Sequence, residues 1–297
     1  MKSGFVCLAG LPNAGKSTLI NSMVGEKVAI VSWRPQTTRD NILGILTTEE
    51  YQMVFIDTPG IHVARNNLGK YMMTAVNTSI KNADVIVYVI DAAKGVTEED
   101  EKFLSDFSQK MNVIAALNKS DSVVRETIFK GLEKLNEIKN IKSVVPISAK
   151  QGDNLDTLKE EILKFLPEGE MLYTDDMFTD KPLKFMAAEY IREKAFYLLD
   201  KEVPYGIGVE VRKFERREGK PIWDIYADII VEKPSHKAIV IGKKGEMIKR
   251  IASGARQDIE ELLGEKVFLE VYVKVKEDWR DSDYLMKELG YDIKNLK

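Results

Sequence analysis

The chain has 297 residues, 44 Lys and Arg against 47 Asp and Glu for a formal net charge of −3, and 44% apolar against 31% charged residues. Such a length suggests two domains, each able to bury a core, and such a balance describes a globular chain and not a disordered one. One cysteine (Cys7) and two distant histidines (His62, His236) exclude an internal disulfide and a Cys/His zinc cage, and no apolar run reaches 18 residues. A reducing compartment is therefore expected. With a motif that begins at Gly10, no cleaved signal peptide is expected. The near-zero net charge gives no hint of a polyanionic partner.

In chain order, Phe5–Ala9, Gln52–Ile56, Val85–Ile90, Val113–Leu117 and Val144–Ile147 read as buried strands. Helical patterns at Ser17–Val24 (ended by Gly25), Glu98–Lys110 and Leu155–Leu166 lie between and after them. Alternation of this kind predicts an α/β domain with a mostly parallel sheet covered on both faces. Ligands in such sheets bind beyond the carboxyl ends of the strands. Chemistry is therefore expected directly after each strand.

The first strand is followed by Gly10-Leu11-Pro12-Asn13-Ala14-Gly15-Lys16-Ser17, then Thr18, which is a P-loop. Its backbone N–H groups and the following helix N-terminus suit phosphate oxygens. Lys16 would neutralise β/γ charge, and the Ser17 hydroxyl would ligate Mg²⁺. The second strand is followed by Asp57-Thr58-Pro59-Gly60. Asp57 would hold Mg²⁺ through water, and Gly60 would bring a backbone N–H to a γ-phosphate. After Val113–Leu117 comes Asn118-Lys119-Ser120-Asp121. A carboxylate at Asp121 accepts from guanine N1–H and the 2-amino group, donors that adenine lacks at those positions. Ser148-Ala149-Lys150 follows the last strand and would contact the guanine O6. Between the first two motifs, Gln36-Thr37-Thr38-Arg39-Asp40 offers Thr38 to complete the Mg²⁺ shell when γ-phosphate is present.

Pro167 ends this half, and acidic, aperiodic Glu168–Pro182 reads as a linker. The expected division is 1–172, a linker at 173–183, and 184–297. The second half reads as a helix (Leu183–Leu199), two strands (Gly208–Phe214, Ile222–Val231), two helices meeting at Gly242–Gly245, and a strand (Val267–Val275). Ile241-Gly242-Lys243-Lys244-Gly245 is a G-x-x-G turn, with Lys249 and Arg250 downstream. Glycines there let a phosphodiester backbone approach closely, and the lysines supply charge. Residues 233–256 hold seven bases and one acid, net +6, whereas 257–297 sum to −4. Near-neutrality is a sum of opposites.

The first-half motifs resemble those of translation-factor-related GTPases, over about 170 residues. This resemblance implies GTP·Mg²⁺ binding and two switch segments, here Trp33–Gly44 and Thr58–Met73, ordered by the γ-phosphate. Ile61 stands where Ras-like members carry a water-orienting glutamine. The subgroup with a hydrophobic residue there uses a P-loop asparagine to bind K⁺, which makes Asn13 a candidate ligand and K⁺ a candidate cofactor. The chain offers no obvious arginine finger; Arg39 is the nearest candidate. His62 is expected to be a solvated switch residue and not a base.

The second half resembles a KH domain of type-II topology, an α+β fold that clamps about four single-stranded nucleotides. The combination, with Gln36–Arg39, Asp57–His62, Lys237–Lys243 and Leu269–Lys276, resembles the Era family of bacterial ribosome-assembly GTPases over essentially the whole chain. The family resemblance implies a cytoplasmic, monomeric protein that binds and hydrolyses GTP to GDP through Lys16, Thr38 and Gly60. It also implies binding to the 3′ end of 16S rRNA on the 30S subunit, and peripheral contact with the inner membrane face. Two rival readings are an RNA-modifying enzyme and a structural RNA binder with a vestigial nucleotide site. The first lacks a second catalytic constellation. The second is opposed by the intact set Lys16, Ser17, Asp57 and Asp121.

Overall fold

The computed structural model describes residues 1–107 and 109–296. The chain divides into two compact units. One comprises Met1–Val63 and Met72–Asp180 and takes in Leu296; the other comprises Ala64–Tyr71 and Lys181–Asn295.

The first unit runs β1 (Lys2–Ala9), α1 (Lys16–Val24), β2 (Ile42–Thr47), β3 (Tyr51–Asp57), then α2 (Asn67–Asn82), whose first turns are counted with the second unit. It continues with β4 (Val85–Asp91), α3 (Glu98–Asp106), β5 (Val113–Asn118), α4 (Arg125–Asn136), β6 (Ile141–Pro146) and α5 (Leu155–Leu163). The strands lie in the order β2-β3-β1-β4-β5-β6, all parallel except the antiparallel edge pair β2–β3. β4 and β5 are buried along their whole length, as a strand covered on both faces must be. The α3 helix starts at a capping box: Thr97 accepts from the Asp100 amide, and Asp100 accepts in return from the Thr97 amide. Position 108, within the helix expected over 98–110, lies outside the described residues. Sequence reading did not pick out β2, α2 or α4. β2 is a short edge strand broken by Gly44, and α4 buries only Gly131 and Leu135.

The segment read as a linker is bound to this unit. Gln52, fully buried on β3, donates to the Tyr173 carbonyl at 2.8 Å and accepts from the Leu172 and Tyr173 amides at 2.7 and 3.0 Å. The Ile45 amide of β2 donates to the Phe178 carbonyl at 3.0 Å, and Ser3 Oγ donates to the Glu170 carbonyl at 2.6 Å. An acidic, aperiodic sequence is thus held by backbone groups, which no side-chain pattern announces.

The second unit contains α6 (Leu183–Leu198), β7 (Gly208–Arg216), β8 (Ile222–Val231), α7 (Pro234–Ile241), α8 (Glu246–Leu263), β9 (Lys266–Val275) and α9 (Asp283–Glu288). From α6 to β9 the order is α-β-β-α-α-β, as expected from the sequence. Its sheet runs β7-β8-β9, with β7–β8 antiparallel and β8–β9 parallel. Ile225, Ala227 and Ile229 alternate onto the buried face. Ile251, Ala255 and Ile259 recur every four residues and form the buried stripe of α8. Trp279 is fully buried, stacks on Tyr291, and donates Nε1–H to the Gly206 carbonyl at 2.8 Å. No helix among the described residues is long and apolar enough to cross a membrane.

Candidate nucleotide site and nucleic-acid interface

The P-loop links β1 to α1 at the carboxyl end of the sheet. Gly15 has φ +98°, and a Cβ there would sit 2.3 Å from Asn118 Nδ2, so both conformation and space demand glycine. Asn13 is also left-handed, at φ 65°. Lys16 is buried and donates to the Gly10 and Leu11 carbonyls at 3.0 and 3.1 Å. Burial pushes its ammonium down to about 8, against the opposing pull of Asp57.

The three expected metal ligands converge. Ser17 Oγ and Thr38 Oγ1 lie 2.8 Å apart, and both donate to Asp57 Oδ2, at 2.7 and 3.0 Å. Desolvation raises the Asp57 carboxyl above the usual range; Lys16, Ser17 and Thr38 pull the other way. Asp57 Oδ1 is buried with no hydrogen-bond partner. An orphaned carboxylate oxygen beside two hydroxyls is an all-oxygen donor set, which suits Mg²⁺. Thr58 Oγ1 donates to the Leu8 carbonyl at 2.7 Å, and the Ile61 amide donates to the Gly10 carbonyl at 3.1 Å. These bonds bring Pro59 and Gly60 against the P-loop. Thr18 follows on the first turn of α1.

Ile61 is buried in the core beside Cys7, Ala9 and Tyr88, so it packs and cannot orient a water. His62 differs from expectation. It is half-buried, its Nδ1 lies 2.7 Å from the Gly60 carbonyl, and its Nε2 is buried without a hydrogen-bond partner. The tight turn after Gly60 folds the ring back over its own backbone, which the sequence does not reveal. Arg39 is 1% exposed and so does not project as a finger. Asn13 Nδ2 donates to the Trp33 carbonyl at 2.7 Å, which joins the P-loop to the segment expected to be the first switch.

The residues expected to recognise the base assemble at the ends of β5 and β6. Asn118 Nδ2 donates to the Ala14 carbonyl at 2.9 Å, and Asn118 Oδ1 accepts from the Ala149 amide at 2.9 Å. Lys119 Nζ donates to the Asn13 carbonyl at 2.8 Å and to Asp91 Oδ2 at 2.6 Å. Ser148 Oγ donates to Asp121 Oδ1 at 2.6 Å. Lys150 is exposed at the rim. Sequence reading passed over Asp91. Its signal was a carboxylate at the carboxyl end of a buried strand, the place where such sheets carry function.

In the second unit, α7 and α8 meet at the G-x-x-G turn. Gly242 has φ +72°, and a Cβ there would stand 2.6 Å from Met247 Cβ. Lys244 is left-handed at φ 52°, which turns the chain sharply into α8. Lys243, Lys244, Lys249 and Arg250 are all exposed, and Ile241 is half-buried beside them. Bare glycines and free cations on one helix junction suit a phosphodiester backbone.

Comparison with known proteins agrees with both halves. Residues 5–119 match the family model "50S ribosome-binding GTPase", and residues 202–280 match "KH domain". GTPase Era of Caldanaerobacter subterraneus subsp. tengcongensis is 46% identical over 293 residues, covering 98% of each chain. GTPase Era of Clostridium kluyveri is 47% identical, over 98% of this chain and 99% of its own. A crystal structure of Era in complex with MgGDPNP and nucleotides 1506–1542 of 16S ribosomal RNA matches with a TM-score of 0.94 at 39% identity, over 98% of this chain and 99% of that one. A variant of Aquifex aeolicus Era bound to GDP and aluminium tetrafluoride matches with a TM-score of 0.94 at 40% identity, over the same shares. With a G-motif site in one unit and a G-x-x-G turn in the other, the chain belongs to the Era family of GTPases.

Proposed function

We propose that this GTPase couples its nucleotide cycle to binding of the 3′ end of 16S rRNA during small-subunit (30S) maturation. The observation that carries the nucleotide half is the convergence of Ser17, Thr38 and Asp57 beside the P-loop. We assign nucleotide chemistry to residues 1–172 and RNA binding to 184–297, joined through 173–183. Lys16 and the P-loop amides bind the phosphates. Ser17, Thr38 and, through water, Asp57 would hold Mg²⁺. Bound there, the metal neutralises charge on the β- and γ-oxygens. Gly60 presents its amide to the γ-phosphate, and Thr38 ties the first switch to the nucleotide's triphosphate state. Asp121 selects guanine, and the Ser148–Lys150 turn faces the base.

The Gly242–Gly245 turn, with Ile241, Lys243, Lys244, Lys249 and Arg250, binds single-stranded RNA. The relative solved with a GTP analogue and 16S rRNA supports this assignment. If GTP favours RNA, RNA favours GTP by the same factor. Binding of a 16S 3′-end fragment should therefore be tighter with a GTP analogue than with GDP, and a scrambled fragment should bind weakly under both. Equal affinity in the two nucleotide states would refute the coupling.

Asn13 is the proposed K⁺ ligand, supported by its bond to the Trp33 carbonyl, a second oxygen of the kind K⁺ takes. A cation there would stabilise charge developing at the β/γ bridge. Equal GTPase rates in K⁺ and Na⁺ buffers would remove that role. The same reading puts the protein in the cytoplasm as a monomer, with contact at the inner membrane face as family resemblance implies. Cell fractionation tests the last point.

A further inference from the structure

We propose that Asp91 is a positioning residue for guanine-nucleotide binding: it holds the Lys119 ammonium, so that the lysine stem stands preset along the wall of the base site. The inference rests on the reading of Asn118–Asp121 as the base-recognition motif.

The placement of Asp91 follows from strand register. β4 and β5 pair in parallel, with Asp91 opposite Asn118, and the Ala92 amide donates to the Asn118 carbonyl at 2.8 Å. The last residue of one strand thereby lies beside the motif that ends the next.

The two carboxylate oxygens of Asp91 have separate partners. Oδ1 accepts from the Ala93 amide at 3.0 Å, inside a turn where the Lys94 amide donates to the Asp91 carbonyl at 3.0 Å. Oδ2 faces Lys119 Nζ at 2.6 Å. The turn therefore fixes the carboxylate, and the carboxylate fixes the ammonium. The second partner of that ammonium is the Asn13 carbonyl, at 2.8 Å. Lys119 thus spans from the base motif to the P-loop, anchored on both sides of its charge.

Chemistry explains why a carboxylate stands here. A lysine is a point charge on a flexible four-carbon stem. One carbonyl acceptor leaves that stem free to swing out, and the Lys119 side chain is 38% exposed. A carboxylate that is itself only 10% exposed adds a charge-assisted bond from a fixed direction. Ordering the stem before the nucleotide arrives removes that cost from binding. Asp91 acts only through Lys119.

Asp91→Asn is the informative variant, because the amide oxygen preserves the turn to Ala93 while an NH2 group, uncharged and unable to accept, replaces the oxygen that faces Lys119. Release of a fluorescent GDP from the full chain is measured for wild type, Asp91→Asn, Lys119→Met and the double variant. Asp91→Asn should speed release about tenfold, the factor expected for loss of a charge-assisted hydrogen bond. The double variant should release no faster than Lys119→Met alone. Two results would overturn the proposal: unchanged release from Asp91→Asn, or effects that multiply in the double variant, which would place Asp91's action in the fold. Unchanged release from Lys119→Met would instead overturn the base-site reading together with this inference. The cycle compares variants pairwise, so a stability loss common to the Asp91 variants cancels.

Discussion

Ser17 Oγ donates to Asp57 Oδ2 across 2.7 Å, and Thr38 Oγ1 reaches the same oxygen across 3.0 Å. A helix start, a loop and a strand end are joined at one atom. Of the three, only Thr38 comes from a segment outside the regular elements. Thr38→Ala should therefore leave GDP affinity within a few-fold of wild type, because Ser17 and Asp57 remain. Single-turnover GTP hydrolysis should fall by about 10²-fold. Unchanged hydrolysis would remove Thr38 from the reaction.

The depressed Lys16 pKa gives a pH signature. Its folded value is pushed down to about 8 from an ordinary 10.5, chiefly by burial. Above about pH 8 the nucleotide-free protein therefore holds a largely neutral Lys16, whereas a bound polyphosphate favours the ammonium. Nucleotide binding should take up a proton there, and affinity should fall as pH rises through 8. Calorimetry at pH values on either side, in buffers of different ionisation enthalpy, measures the uptake. Absence of uptake on the alkaline side would contradict the assigned role of burial.

Asp121 accepts from Ser148 through Oδ1, which leaves Oδ2 for the guanine donors it is proposed to bind. Asp121→Asn substitutes an amide donor where guanine needs an acceptor. GTP affinity should fall by about 10²-fold or more, and xanthosine triphosphate, with a carbonyl at C2, should bind better than to wild type. Competition of the two nucleotides against a fluorescent analogue gives the ratio.

Gly242→Asp meets both a positive φ and the Met247 side chain, and adds a negative charge where the proposed function brings a phosphodiester. RNA binding should be lost with GTP binding and hydrolysis retained. A filter-binding assay beside a GTPase assay separates the two. Retained RNA affinity would refute the KH reading.

Gln52→Ala cuts the bonds that hold Leu172 and Tyr173. The loss should be about 1–3 kcal/mol, because Gln52 is buried and its partners are polar. Amide exchange at Leu172 and Tyr173 should quicken, whereas that of β4 should not. Denaturant titration with hydrogen-exchange mass spectrometry checks both.

Much of the site was legible because its chemistry occupies strand ends and glycine turns, which punctuate sequence strongly. Gly10–Ser17, Asp57–Gly60 and Asn118–Asp121 each follow a run such as Val113–Leu117 whose burial is written in its residues. The α-β-β-α-α-β order was legible for the same reason. What escaped was set by backbone pairing and by single polar side chains. β2 is an edge strand with a half-polar pattern, and its antiparallel pairing to β3 leaves no compositional mark. The hold of Gln52 on Leu172 and Tyr173 joins one side chain to residues far along the chain, through backbone groups that every residue there carries. The folding back of His62 onto Gly60 depends on turn geometry that a histidine neither demands nor forbids.

Asn118 ties two loops together. Its amide bonds the Ala14 carbonyl of the P-loop with one end and the Ala149 amide with the other, and it fills the space that a Cβ on Gly15 would need. The walls proposed to receive the two ends of a nucleotide are thus parts of one keystone arrangement. Base and phosphate affinities should not factor into independent contributions in this protein. A substitution at Asn118 should weaken inorganic pyrophosphate as well as guanosine, and paired substitutions across the two loops should depart from additivity.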